Sequence, residues 1–171
     1  SVVAEGPFFF AVAQALRAHG IEVHWLGADH GLEARTTAAA GIPLTVLHGF
    51  QGVRGKGLAA WFQLPLRLLR AMRQTWQLMR AFKPRAVMTF GGYVTVPAGL
   101  LSRLMGLPLL VHEQNAVMGS ANRLLARWAT VVAVSFPSTH RSPHTAALTG
   151  NPVRPEIAAL RSSAARIRER S

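Results

Sequence analysis

The sequence predicts an α/β protein, a doubly wound parallel sheet with helices on both faces, and three observations predict it. Short apolar runs alternate with longer stretches rich in helix formers. Gly or Pro marks most of the joints between them. The chain has 171 residues, half of them hydrophobic and only 15% charged, which is the size and composition of one ordinary domain with a single core.

Each element follows from local chemistry. Residues 2–4 form a first short strand. Residues 11–18 are helix formers that stop at Gly20, a good residue for a left-handed helix end. Residues 21–26 read as a second strand, 32–40 as a short helix ending at Gly41, and 43–47 as a third strand. The run GFQGVRGKG (49–57) holds four glycines with Arg54 and Lys56 between them, a mobile basic loop. Residues 58–82 make a long amphipathic helix with Pro65 near its start, and Pro84 ends it. The second half is more regular: strand 86–90, helix 94–105 closed by Gly106, strand 109–111, helix 120–128 and strand 131–135. Residues 136–155 turn to Pro, Ser, Thr, His and Gly and read as a linker, followed by an Ala/Arg-rich helix over 156–170.

Composition narrows the function classes. There is no cysteine, which excludes disulfide scaffolds, thiol catalysis and thiolate zinc sites. Lys and Arg outnumber Asp and Glu by 19 to 7, a formal charge of +12. Such a field favours anionic partners: nucleic acid, phosphorylated substrates or an anionic bilayer. The opening SVVAEGPFFF has no basic start, so no signal peptide is expected. Arginines interrupt the longest apolar candidate, 58–82, four times, so no spanning helix of ~18 or more apolar residues is expected.

In a doubly wound sheet, ligands bind beyond the carboxyl ends of the strands. That rule points at Gly91-Gly92-Tyr93-Val94 and at His112-Glu113-Gln114-Asn115. The strand–Gly-Gly–helix joint offers free N–H groups to a phosphate; it is equally the tight turn that any such joint needs. G-x-G-x-x-G is absent, so no nicotinamide cofactor is expected. His112, Glu113 and Asn115 follow a strand directly and read as ligand or catalytic groups, the alternative being that Glu113 caps the next helix or pairs with an arginine. His140 and His144 lie four apart in a Pro-containing segment with no third ligand near, so no metal site is expected. On the long helix, Phe62, Leu66, Leu69 and Met72 share one face among Arg67, Arg70, Arg73 and Arg80, with Leu58, Trp61, Leu64, Leu68, Trp76 and Met79 forming a second apolar face. One face would serve the core. The other, rimmed with arginine, fits an anionic bilayer.

The run GGYVTVPAGLLSRLMGLPLLVHEQNAVMGSANRLLARWAT (91–130), with TGNPVR (149–154) and AVAQALRAHGIEVHWLG (11–27), resembles the MurG family of bacterial transferases in order and spacing. The resemblance covers nearly the whole chain. It implies the Rossmann-like N-terminal domain of a GT-B glycosyltransferase over 1–148, with 149–171 a linker and the start of a C-terminal donor domain. The implied reaction moves N-acetylglucosamine from UDP-GlcNAc to a lipid-linked muramyl-pentapeptide with inversion, and needs no cofactor. By the same resemblance Gly91, Gly92, Tyr93 and Asn115 bind the acceptor, Asn115 and Arg154 touch the donor, and His112 and Glu113 are the catalytic candidates. Phe62, Leu66, Leu69 and Met72 fall on the family's membrane patch and Arg127 on its basic rim. The family's GGTGGH loop, whose histidine is a candidate base, is replaced here by AEGPFFF. The expectation is therefore a peripheral protein on the cytoplasmic face of the bacterial inner membrane. As an isolated chain it should bind donor weakly or not at all and transfer no sugar. Two other readings stand beside it: the membrane-bound acceptor subunit of a split UDP-GlcNAc transferase, and a basic nucleic-acid-binding domain.

Overall fold

Strands that are apolar on both faces must be covered on both sides, and the sheet of this protein is. A computed structural model describes residues 1–5, 10–28, 37, 41–47, 58–143 and 145–152, with backbone alone at 4, 5 and 58–64. Among the described residues seven strands form one sheet: β1 (Val2–Glu5), β2 (Val23–Ala28), β3 (Leu44–Leu47), β4 (Ala86–Thr89), β5 (Leu109–Glu113), β6 (Val131–Val134) and β7 (Ala147–Leu148). Their order is β3-β2-β1-β4-β5-β6-β7, and every neighbouring pair is parallel. The order reverses between β1 and β4, the switch point beside which doubly wound sheets bind ligands.

The helices are α1 (Phe10–Ala18), α2 (Leu58–Phe82), α3 (Thr95–Leu104) and α4 (Ser120–Leu125). Along β2, Val23 and Trp25 join a cluster with Ala13 of α1, while Leu26 joins the opposite cluster with Ala71 and Met79 of α2. The pleat thus sends alternate side chains into two separate cores. The larger core also takes Val87, Val111, Ala98, Leu101 and Leu125, so α2, α3 and α4 share one side of the sheet.

Several boundaries differ from the sequence reading, each for a local reason. Strand 109–111 extends through His112 and Glu113, which pair with Ala133 and Val134 of β6; these two residues are therefore in the strand, not after it. The helix expected over 120–128 ends at Leu125, and residues 127 and 128 close with i→i−3 bonds, Arg127 N–H to the Leu124 carbonyl at 3.4 Å and Trp128 N–H to the Leu125 carbonyl at 3.2 Å. There the Trp128 indole N–H donates to the Gly99 carbonyl at 3.2 Å. The segment expected as a linker contributes β7, whose Ala147 and Leu148 pair with Ala133 and Val134. Two residues are too short to show a period in sequence. The helix expected over 32–40 (apart from Thr37), the loop 49–57, His144, Arg154 and the helix expected over 156–170 lie outside the described residues.

On α2, Ala71, Thr75 and Met79 are fully buried, and Leu78 and Phe82 pack against the same core. Two side chains exchange the faces expected of them. Met72, expected outward with Leu66 and Leu69, packs on the core. Trp76, expected on the second face, is exposed beside them. At 100° per residue, positions seven apart fall within ~20° of each other, so Met72 follows buried Met79 and Trp76 follows exposed Leu69. The side chain of Phe62 lies outside the described residues. No helix among the described residues is long and apolar enough to cross a membrane.

At Gly99 the backbone of α3 lies directly against Leu125 of α4. A Cβ there would overlap both terminal methyl carbons of Leu125, which is fully buried. Gly99→Ala is expected to lower unfolding free energy by about 1–3 kcal/mol, read as a reduced urea midpoint at an unchanged slope.

Candidate functional site

β4 ends at Thr89, and the chain must turn at once to enter α3. Gly91 and Gly92 make that turn with φ of +88° and +93°, values that side chains rarely adopt. Space for one is also tight at Gly91: a Cβ would stand 3.2 Å from the Asn122 amide nitrogen. Thr95 closes the start of α3 by donating its hydroxyl to the Gly92 carbonyl at 2.7 Å. Tyr93 projects outward, 65% exposed.

The end of β5 supplies the other wall, and its four consecutive side chains go to different places. His112 Nε2–H donates to the Gly150 carbonyl at 3.1 Å, and the ring lies 5.2 Å from that of Phe90. Glu113 is 1% exposed. One of its oxygens accepts from the Asn115 N–H at 3.0 Å and the Asn115 Nδ2 at 2.8 Å; the other accepts from the Gly119 N–H at 3.0 Å and the Asn122 Nδ2 at 2.8 Å. Gln114 donates its amide to the Phe90 carbonyl at 2.8 Å and so ties β5 to the glycine turn. Asn115 is exposed at the mouth. The segment after β6 braces this loop: Met118 N–H donates to the His140 carbonyl at 3.0 Å and His140 N–H to the Ala116 carbonyl at 2.8 Å.

Together these walls enclose an open cleft of about 360 Å³, lined by the glycine turn, Tyr93, the run Glu113-Gln114-Asn115 and the residues 119–122 that start α4. That is within the ~300–1,000 Å³ of small-molecule sites. Of the residues singled out in the sequence, Gly91, Gly92, Tyr93, Glu113 and Asn115 meet here. His112 does not line the cleft; its ring turns to Gly150 instead. Leu66 and Leu69 are on α2, and Arg127 is exposed just beyond α4. Sequence reasoning missed Gln114 and Asn122 as tethers. The available signal for Asn122 was a polar side chain inside the apolar stripe Ala121–Leu125 of α4, where burial demands a partner. No three His, Asp or Glu side chains cluster as metal ligands among the described residues.

Electrostatics follow from this bonding. Burial pushes the Glu113 carboxyl up, but the N–H groups of Gly119 and Asn115 and the amides of Asn122 and Asn115 outweigh it and hold the pKa below the usual glutamate value. Burial lowers the His112 pKa, opposed by its bond to Gly150 and by the Glu113 charge. Burial lowers His24 as well, opposed by Glu22.

The family of the chain is settled by comparison with known proteins. Residues 7–134 match the glycosyltransferase family 28 N-terminal domain, and the chain belongs to that family. A relative from Nitrosococcus oceani, a UDP-N-acetylglucosamine–N-acetylmuramyl-(pentapeptide) pyrophosphoryl-undecaprenol N-acetylglucosamine transferase, is 46% identical over 160 residues, which are 94% of this chain and 44% of the relative. The Pseudomonas syringae pv. tomato protein of the same name is 46% identical over 86% of this chain and 41% of its own length. The chain thus spans under half the length of these curated relatives. The crystal structure of Acinetobacter baumannii MurG superposes with a TM-score of 0.74 at 37% identity, over 89% of this chain and 46% of that one. A Neisseria meningitidis UDP-GlcNAc 2-epimerase bound to UDP-GlcNAc shares the fold alone, with a TM-score of 0.63 at 16% identity over 98% of this chain and 50% of that one.

A group whose folded pKa lies below its unfolded value stabilises the fold above the unfolded pKa and loses that contribution as pH falls toward the folded one. Stability should therefore decline first below about pH 6.5, through His112 and His24, and again below about pH 4.3, through Glu113. Urea unfolding at pH 7, 6 and 5 checks the first step. His112→Gln, which keeps a donor near Gly150 and cannot charge, should flatten part of that decline and leave the remainder to His24.

Proposed function

We propose that this chain is the acceptor-side, membrane-facing part of an N-acetylglucosamine transferase that carries the sugar from UDP-GlcNAc to a lipid-linked muramyl-pentapeptide. The observation that carries the reading is the cleft beyond β4 and β5, built from the residues by which the sequence resembles the family. In this reading the glycine turn and the start of α3 take the acceptor's pyrophosphate, since free N–H groups and a helix N-terminus favour negative charge. Tyr93 and Asn115 hold the acceptor at the mouth. Asn115 and Arg154 reach the donor. The acceptor hydroxyl oxygen bonds to the anomeric carbon, the bond from that carbon to the UDP phosphate oxygen breaks, and the hydroxyl proton passes to a base.

The same reading places the protein peripherally on the cytoplasmic face of the inner membrane. Leu66, Leu69 and Trp76 are 52%, 66% and 43% exposed, and by helical spacing Arg70, Arg73 and Arg80 share their face. The Arg80 guanidinium sits 5.0 Å from the Trp76 ring centre. Each apolar side chain contributes up to ~1.5–3 kcal/mol on full burial, and each arginine about 1 kcal/mol near an anionic surface.

Calorimetry with a short-chain lipid-linked muramyl-pentapeptide analogue tests the acceptor site. Saturable binding is expected, weakened about tenfold by Gly92→Ala, which forces a side chain into the left-handed region at a cost of about 1–2 kcal/mol. Absence of binding by the unsubstituted chain sinks the reading. Sedimentation with phosphatidylglycerol vesicles tests the membrane face: the chain should co-sediment, less so at high salt. Leu66→Glu/Leu69→Glu should stay soluble with unchanged far-UV circular dichroism, and Met72→Ala should still bind.

A further inference from the structure

Glu113 is the carboxylate in the cleft, which makes it the obvious base for the acceptor hydroxyl. Its surroundings contradict that role. A carboxylate offers about four lone-pair sites, and four donors occupy them at 2.8–3.0 Å. The side chain is 1% exposed. To accept a substrate proton it would have to give up one of these bonds, and such a loss is costly at a buried group.

What the carboxylate does hold is a loop. Residues 115–119 leave β5, pass round Glu113 and enter α4, and the two oxygens grip the beginning and the end of that path. From there the constraint extends to β4. Asn122 spends its amide nitrogen on Glu113 at 2.8 Å and on the His112 carbonyl at 3.2 Å, and is itself 1% exposed. Its amide forms the floor under Gly91. Resting on the acceptor-cleft reading above, we infer that Glu113 is a positioning residue: through Asn115, Gly119 and Asn122 it shapes both walls of the cleft, and it does not take the acceptor's proton.

The test needs two arms on the 171-residue chain. In the first, the Glu113 side-chain carbon is followed by ¹³C NMR against pH together with the amide protons of Asn115 and Gly119. All three should titrate as one, below the ordinary glutamate range. A carboxyl that titrates at the ordinary value, or without moving those amides, overturns the inference, and no substrate enters this arm. In the second, calorimetry with the same acceptor analogue compares the unsubstituted chain with Glu113→Gln, and hydrogen exchange follows the Gly119 amide in both. Glu113→Gln replaces the oxygen that accepts from Gly119 and Asn122 by an amide group or leaves that pair of donors unmatched, so it should weaken binding about tenfold, the size expected for losing a hydrogen bond to a charged group, and speed exchange of the Gly119 amide. A folded Glu113→Gln variant that binds the analogue as well as the unsubstituted chain, with Gly119 exchange unchanged, overturns the inference. Failure of the unsubstituted chain to bind the analogue refutes the acceptor reading instead, while the titration still decides the role of Glu113.

Discussion

An ionised carboxylate removed from water must be met by donors on every side or it will protonate or unfold its surroundings. Glu113 meets that condition with two backbone N–H groups and two side-chain amides, and much of the site is the consequence. The loop after β5 has to curl so that Asn115 and Gly119 face the same group. α4 has to begin at Ser120 so that Asn122, in its first turn, reaches the second oxygen. Gly91 favours the absence of a side chain, because its φ is left-handed and the Asn122 amide lies close beneath it.

The parallel sheet explains why so much converges here. All its strands end on the same side, so the loops after β4, β5 and β6 are neighbours without any long-range folding of loops. Adjacent residues of a strand point to opposite faces, and the end of β5 uses this to serve several neighbours at once. His112 reaches the segment that follows β7, Glu113 the loop into α4, and Gln114 the turn after β4. The Ser135 hydroxyl, just past β6, lies 3.0 Å from the Glu113 carbonyl oxygen and 2.6 Å from Asn151 Oδ1, and its one hydrogen can serve either. The chain leaving the sheet is thus fastened to the strand that builds the cleft.

The helices give the cleft a fixed relation to the face proposed for the bilayer. α2 carries Leu66, Leu69 and Trp76 on one side and Ala71, Thr75 and Met79 on the other. α3 packs against both α2 and the sheet, and the glycine joint leads directly into its first turn. A close-packed core transmits position with little give, so in the proposed function an acceptor whose lipid lies in the membrane would meet a cleft set at a defined height above it.

Elements long enough to show a period, or bounded by Gly and Pro, were legible in the sequence alone. So were the parallel α/β class, the long helix from residue 58 to 82, and the two loops beyond β4 and β5, because the position of a ligand cleft follows from the class. Tertiary structure decided the rest. β7 has two residues and exists only because β6 offers an unpaired edge. Met72 and Trp76 differ in face by an angle that depends on where the core stripe of α2 is centred, which the neighbours of the helix determine. The type and place of Glu113 were plain in the sequence. Its role depends on donors two, six and nine residues onward, and only the folded loop brings them to one carboxylate.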